Sequence, residues 1–245
     1  MTANAESQNL SAVAGDGAAV SQLDVSDRAQ FIMRTYGHLL GAVMTFIAIE
    51  LLLFATGLAV VLGKMVLGGG PLVWLGVLGG FMIGGWVATN VAHSAQSKPA
   101  QYAALFAYVL VEALIFCPLL LIAAMIAPGA ITMAAIVTVV GFAGLTAVVF
   151  TTRKDFSFLG SVLRWGAVIA MLMIVAGLIF GFNLGLYFAA GMVALAGGMI
   201  LYDTSNVLLH YPKDRYVGAA LQLFASLALL FWYVLRIAMA LMSRD

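Results

Sequence analysis

Seven stretches of apolar, charge-poor sequence follow one another through this chain, each long enough to cross a lipid bilayer. In hydrocarbon every backbone N–H and C=O must be satisfied internally, so such a chain is confined to a bundle of membrane-spanning helices. A span needs about 20 residues at roughly 1.5 Å of rise each. By that ruler the sequence predicts helices over 36–62, 71–93, 101–126, 129–151, 158–181, 184–209 and 216–242. Pro128-Gly129 divides an apolar stretch too long for one span, and Pro71 opens the second helix after Gly68-Gly69-Gly70. The expected fold is all-α and integral to the membrane. A seven-helix transmembrane domain occupies 35–245, preceded by a polar cytoplasmic tail and lead-in over 1–34. No interval between the spans could hold a soluble domain.

Composition agrees. A soluble domain draws about a quarter of its residues from the charged types, whereas charged residues are 9% of this chain and hydrophobic ones 64%. The 11 basic and 10 acidic side chains gather at the ends of the apolar runs. Their net charge of +1 carries no signal for a nucleic acid, and none is expected as a partner; the partner implied is the lipid bilayer. Position matters more than sum. With the N-terminus inside, the inner side collects Arg28, Arg34, Lys98, Arg153, Lys154, Arg164, Lys213 and Arg215, against Lys64 and Arg244 outside, with Arg236 near that end. Cytoplasmic loops concentrate Lys and Arg, so the N-terminus is expected in the cytoplasm and the C-terminus on the far side.

Residues Met1 to Arg28 are rich in Ala, Ser, Gly and Asp and have neither a positive start nor a short apolar segment, so they read as a disordered tail rather than a signal peptide. The lone Cys117 sits in an apolar run, which excludes an internal disulfide and leaves no cysteine cluster for a metal; no cofactor is expected. Gly76, Gly80 and Gly84, and again Gly177, Gly181 and Gly185, recur at the spacing that allows close helix approach; tight packing and a dimer face both account for it. The 13 methionines read as core filling.

A charge inside a span is costly, and a functional pathway or a buried partner usually explains it. Glu50 and Glu112 lie near the middles of the first and third helices, Asp203 in the inner part of the sixth, and Arg236 toward the outer end of the seventh, where snorkelling to the interface explains it. Asn206 and His210 follow Asp203 at i+3 and i+7, on one helix face. Gln222, Ser226, Tyr233 and Arg236 make a similar stripe on the seventh helix. Two such stripes face to face would satisfy each other or line a wet path. Arg164 at the inner end of the fifth helix is open to three readings: a topology signal, a salt bridge to Asp155, and a gate.

The segments "RTYGHLL", "TTRKDFSFLG", "ILYDTSNVL", "YVGAALQLFASLALLFWYVLRI" and the terminal "SRD", in this order, resemble the Bax inhibitor-1 family, in its bacterial YccA-like branch. The resemblance implies seven helices with the C-terminal one central among the others, in the bacterial inner membrane. It also implies two activities of different classes. One is a pH-sensitive calcium leak; the other is association with the membrane AAA protease FtsH, restraining its proteolysis.

For the leak, the family's sensor is a pair of aspartates on the sixth and seventh helices. The first matches Asp203, and the second position is occupied here by Ser226. A serine can donate a hydrogen bond to Asp203 but cannot share a proton with it as a second carboxyl would. Calcium collects six to eight oxygens. A site drawing on Asp203, Asn206, Gln222 and Ser226, with Glu112 as a further carboxylate, would hold it weakly. YccA-like members share the serine and the "TTRKD" loop, which favours protease modulation, and the polar tail suits engagement by an AAA motor. Catalysis is not expected. There is no G-x-S-x-G, no H-E-x-x-H and no paired intramembrane aspartate, His38, His93 and His210 lie near helix ends, and the last span has no Lys for a Schiff base.

Overall fold

A helix whose solvent is lipid is apolar all round rather than along one stripe, and the chain builds its fold from helices of that kind. The computed structural model describes residues 19–94 and 97–243. Among them are α1 (Val25–Ala55), α2 (Leu58–Gly68), α3 (Gly70–Ser94), α4 (Lys98–Ile126), α5 (Ala130–Thr152), α6 (Leu159–Phe180), α7 (Gly185–Leu209) and α8 (Tyr216–Met242). All except α2 are long and apolar enough to cross a membrane, which gives the seven spans expected from the sequence.

Two boundaries differ from expectation. The first predicted helix, 36–62, runs through Gly57, but the chain turns there with Gly57 at φ +77, a conformation that costs glycine little, and α2 starts afresh. The other difference is at the N-terminus, where α1 begins at Val25 rather than at 36, inside the stretch expected to be tail and lead-in. The tail before residue 19 lies outside the described residues, but Ala19 to Arg28 is folded. The Val20 side chain is wholly buried, and its N–H donates to the Tyr211 carbonyl at 2.9 Å. Ser21 Oγ donates to the Leu209 carbonyl at 2.8 Å, and Asp27 pairs with Lys213 at 2.7 Å. This clasp ties the start of α1 to the α7–α8 connection, a long-range contact that a polar composition conceals.

Among the described residues α8 packs against α7, α5, α1, α4 and α3, whereas α6 touches only α7 and α3. Burial follows: α8 and α4 carry long sets of buried side chains, but on α6 only Ala170 is buried, and Val162, Trp165, Leu172 and Phe180 face outward, as they should toward lipid. Aromatic rings fill the space between α1, α4 and α8, with Phe116 stacked on Phe231 at 5.7 Å and edge-on to Trp232 at 4.9 Å. The two glycine stripes differ. A Cβ on Gly76, Gly80 or Gly84 would meet nothing within 4 Å, so among the described residues no helix uses that close approach. Gly177 instead lies close under the Phe182 carbonyl, 3.2 Å from where a Cβ would sit, at the α6–α7 turn.

The connections α3–α4, α5–α6 and α7–α8 meet at the end of the bundle where α1 begins. Lys98 Nζ donates to the Asp214 carbonyl and lies 4.2 Å from the Tyr216 ring centroid. His210 pairs with Asp155. Lys98 and the basic residues of the α5–α6 and α7–α8 connections thus share one end of the molecule.

Candidate functional site

Asp203 is 2% exposed, within α7. Its carboxylate is met from α8, where Ser226 donates a hydrogen bond to Oδ2 and Gln222, one turn earlier, supplies another. The sequence arranges this locally. Residues four apart stack on one helix face, and the neighbouring Gly218, Ala219 and Ala220 of α8 are small and buried, so the two helices approach closely. Thr204 and Ser205, beside Asp203, are fully buried. Ser205 Oγ donates to the Tyr202 carbonyl at 3.0 Å and accepts the Phe156 N–H at 3.2 Å, which fastens the α5–α6 connection against α7. Tyr36 of α1 closes the same region against Thr204 and Thr146.

The polar face continues from Asp203 toward the basic end. The Asn206 carbonyl accepts the N–H groups of His210 and Tyr211 at 2.8 and 3.1 Å, ending α7. His210 has left the interior: its Nε2 lies 3.3 Å from Asp155 Oδ2, with both side chains nearly half exposed. The Ser157 backbone N–H donates to Asp155 at 2.8 Å and, with His210 adding a smaller attraction, holds that carboxyl below its usual range. Arg164 is exposed and the structure gives Asp155 the histidine instead.

The remaining predicted residues stand apart from this seam. Arg236 is exposed, one face away from the buried Ser226 and Tyr233. Glu112, 5% exposed on α4, is hydrogen-bonded by Tyr108 one turn earlier, and α4 makes no contact with α7. Glu50, 6% exposed on α1, has no hydrogen-bonding partner for either oxygen among the described residues. Among the described residues no three His, Cys, Asp or Glu side chains are grouped so as to hold a metal ion, and the oxygens around Asp203 are one carboxylate, a hydroxyl and an amide. Tyr108 and Ser205 were not singled out from the sequence. The i−4 spacing of Tyr108 to Glu112 was the available signal for the first; nothing local announces the second.

A buried carboxylate fastened by neutral donors between the last two helices of a seven-span, all-helical bundle defines a polytopic membrane protein with a polar tie inside the membrane. The family model described as "Inhibitor of apoptosis-promoting Bax1" matches residues 28–244, and the chain belongs to the Bax inhibitor-1 family. It is 37% identical over 101 residues to YccA of Escherichia coli K12, described as a modulator of FtsH protease, covering 41% of this chain and 45% of YccA. YccA of a second Escherichia coli strain, matched equally, is described as an inner membrane protein. An uncharacterized protein of Neisseria meningitidis serogroup B is 37% identical over 131 residues, 52% of this chain and 57% of that protein. The chain thus spans about half the length of the curated relatives it matches. The family and YccA are described as an inhibitor and a modulator, not as enzymes.

Proposed function

We propose that this protein is an inner-membrane modulator of an FtsH-type AAA protease, acting by binding rather than catalysis, with its basic end in the cytosol. The observation that carries the reading is the 37% identity to YccA, the described FtsH modulator. The Ser226–Asp203 hydrogen bond supports it. A lone carboxylate satisfied by a hydroxyl and an amide is a structural tie between α7 and α8, and leaves no second acid to share its proton. The basic end, where the α3–α4, α5–α6 and α7–α8 connections and the Val20 clasp meet, is the face such a protease would contact, and the chain before residue 19 offers its motor a polar segment.

The test is co-reconstitution of this protein with purified FtsH and a membrane substrate in liposomes. Slower substrate turnover as the protein is titrated in, together with co-purification of the two, is expected. Unchanged turnover at molar excess sinks the proposal. A second assay separates the calcium-leak reading, which rests on Asp203 lying within the span above Asn206 and His210. Calcium flux from liposomes at mildly acidic and mildly alkaline pH, lost in Asp203→Asn, would replace modulation with conduction as the working function.

A further inference from the structure

Glu50 stands beside a cavity that the Asp203 seam does not touch. The cavity has a volume of about 390 Å³ and lies between α1, α4, α5 and α8. Its walls are aromatic, formed by Phe46, Phe116, Phe224 and Phe231. Its rim is formed by Ile47, Leu51, Phe54 and Val139, all outward-facing on spanning helices, so the opening is toward lipid. Two polar side chains line this apolar space, Glu50 and Thr138. Glu50 is 6% exposed and Thr138 3%, and neither Glu50 oxygen nor Thr138 Oγ1 has a hydrogen-bonding partner. Among the described residues no Lys, Arg or His lines the cavity.

Buried polar groups are almost always hydrogen-bonded, and a carboxyl in hydrocarbon is the costliest one to leave alone. Among the described residues Glu50 has no hydrogen-bonding partner, yet it sits in a space large enough for a small molecule and reachable from the bilayer. A ligand that would complete the site needs an apolar body for the four rings and one polar head. The head must donate hydrogen bonds to a carboxyl and a hydroxyl and bring the opposite charge, so that the pair is neutral in hydrocarbon. A primary alkylamine meets each requirement: its ammonium has three donors and one positive charge on a chain that partitions into lipid.

We propose that the Glu50 cavity is a binding site, entered from the membrane, for lipophilic amines, with Glu50 as counter-ion and Thr138 as second acceptor. An alkyl chain without the charge fits the walls but leaves Glu50 unsatisfied, so the carboxyl is the selectivity element.

The test uses the full chain in phosphatidylcholine nanodiscs and dicyclohexylcarbodiimide, which reaches carboxyl groups through hydrocarbon. The carboxylic acid adds across the carbodiimide and rearranges to an N-acylurea, so a labelled residue carries the whole reagent as added mass. Peptide mass spectrometry distinguishes Glu50 from Glu112 and Asp203. Glu50 is expected to label, and dodecylamine to slow that labelling at least several-fold while dodecanol, at the same mole fraction in the bilayer, does not. Native mass spectrometry should show dodecylamine retained by the unmodified protein and lost in Glu50→Gln. Ala135→Phe, which fills the cavity from α5 and keeps the carboxyl, should lose both labelling and retention; it covers the case in which Glu50→Gln fails to fold. No labelling at Glu50, or equal protection by dodecanol, overturns the proposal.

Discussion

Asp203 and Glu50 are both carboxyls sealed within spanning helices, and they have been treated oppositely by the fold. Asp203 lies where two helices with small residues meet, and α8 presents Ser226 and Gln222 to it. Glu50 lies where four helices fail to close around aromatic side chains of α1, α4 and α8, and among the described residues nothing donates to it. Burial alone therefore does not say what an intramembrane acid is for. What decides is whether the opposing helix supplies donors: with them the acid is a fastener, and without them it stays unpaired within the bundle.

The sharpest way to break this contrast is to remove each carboxyl. Asp203→Ala would leave the buried Ser226 hydroxyl and the half-buried Gln222 amide without an acceptor, and should cost on the order of 2–3 kcal/mol of stability, with Asp203→Asn recovering part. Reversible unfolding in bicelles measures it, and a loss near zero would mean that the seam is not a fastener. Glu50→Leu should move stability the other way, raising it by about 1 kcal/mol, because a desolvated group without a partner is replaced by one that suits the cavity. A loss of stability would reveal a partner for Glu50.

Smaller effects belong to the basic end, where water competes. Lys213→Ala breaks the 2.7 Å pair with Asp27, whose side chains are 38% and 39% exposed, and should cost no more than about 0.5 kcal/mol, shrinking in salt. A double-mutant cycle with Asp27→Ala isolates the pair. For Asp155 the sign follows from its lowered carboxyl: the folded state releases the proton more readily than the unfolded chain does. Its contribution is present above the ordinary carboxylate range and fades as pH falls through the folded value. The stability gap between the wild type and Asp155→Ala should therefore close as pH drops below about 4. A gap that persists in acid would show that Asp155 does not act as a carboxylate.

The spans themselves were legible because each requires a run of fixed length, and Pro128-Gly129 marked a division that the structure shares. Gly57 was harder to see. One glycine in an apolar stretch is tolerated in membrane helices, and only its left-handed backbone distinguishes a turn from a tolerated residue. In the seam, helical spacing aligns Gln222 with Ser226 on one face of α8, and the family resemblance set the Ser226 position against Asp203. His210 and Arg236 shared the same spacing and left the interior, since stripes near helix ends diverge toward the aqueous boundary. The clasp from Val20 could not be read, because a polar, small-residue segment signals no partner until another part of the chain comes within hydrogen-bonding reach.

By itself the sequence determined that this is a seven-span helical membrane protein with a basic end and three buried acids, because length, hydropathy and charge position are properties of the chain alone. Only the tertiary structure decided which acid is held and which is left open. A donor four residues from another lies on a known face, but which neighbouring helix that face meets, and whether their side chains fill the space between, is settled by packing among segments far apart in the chain.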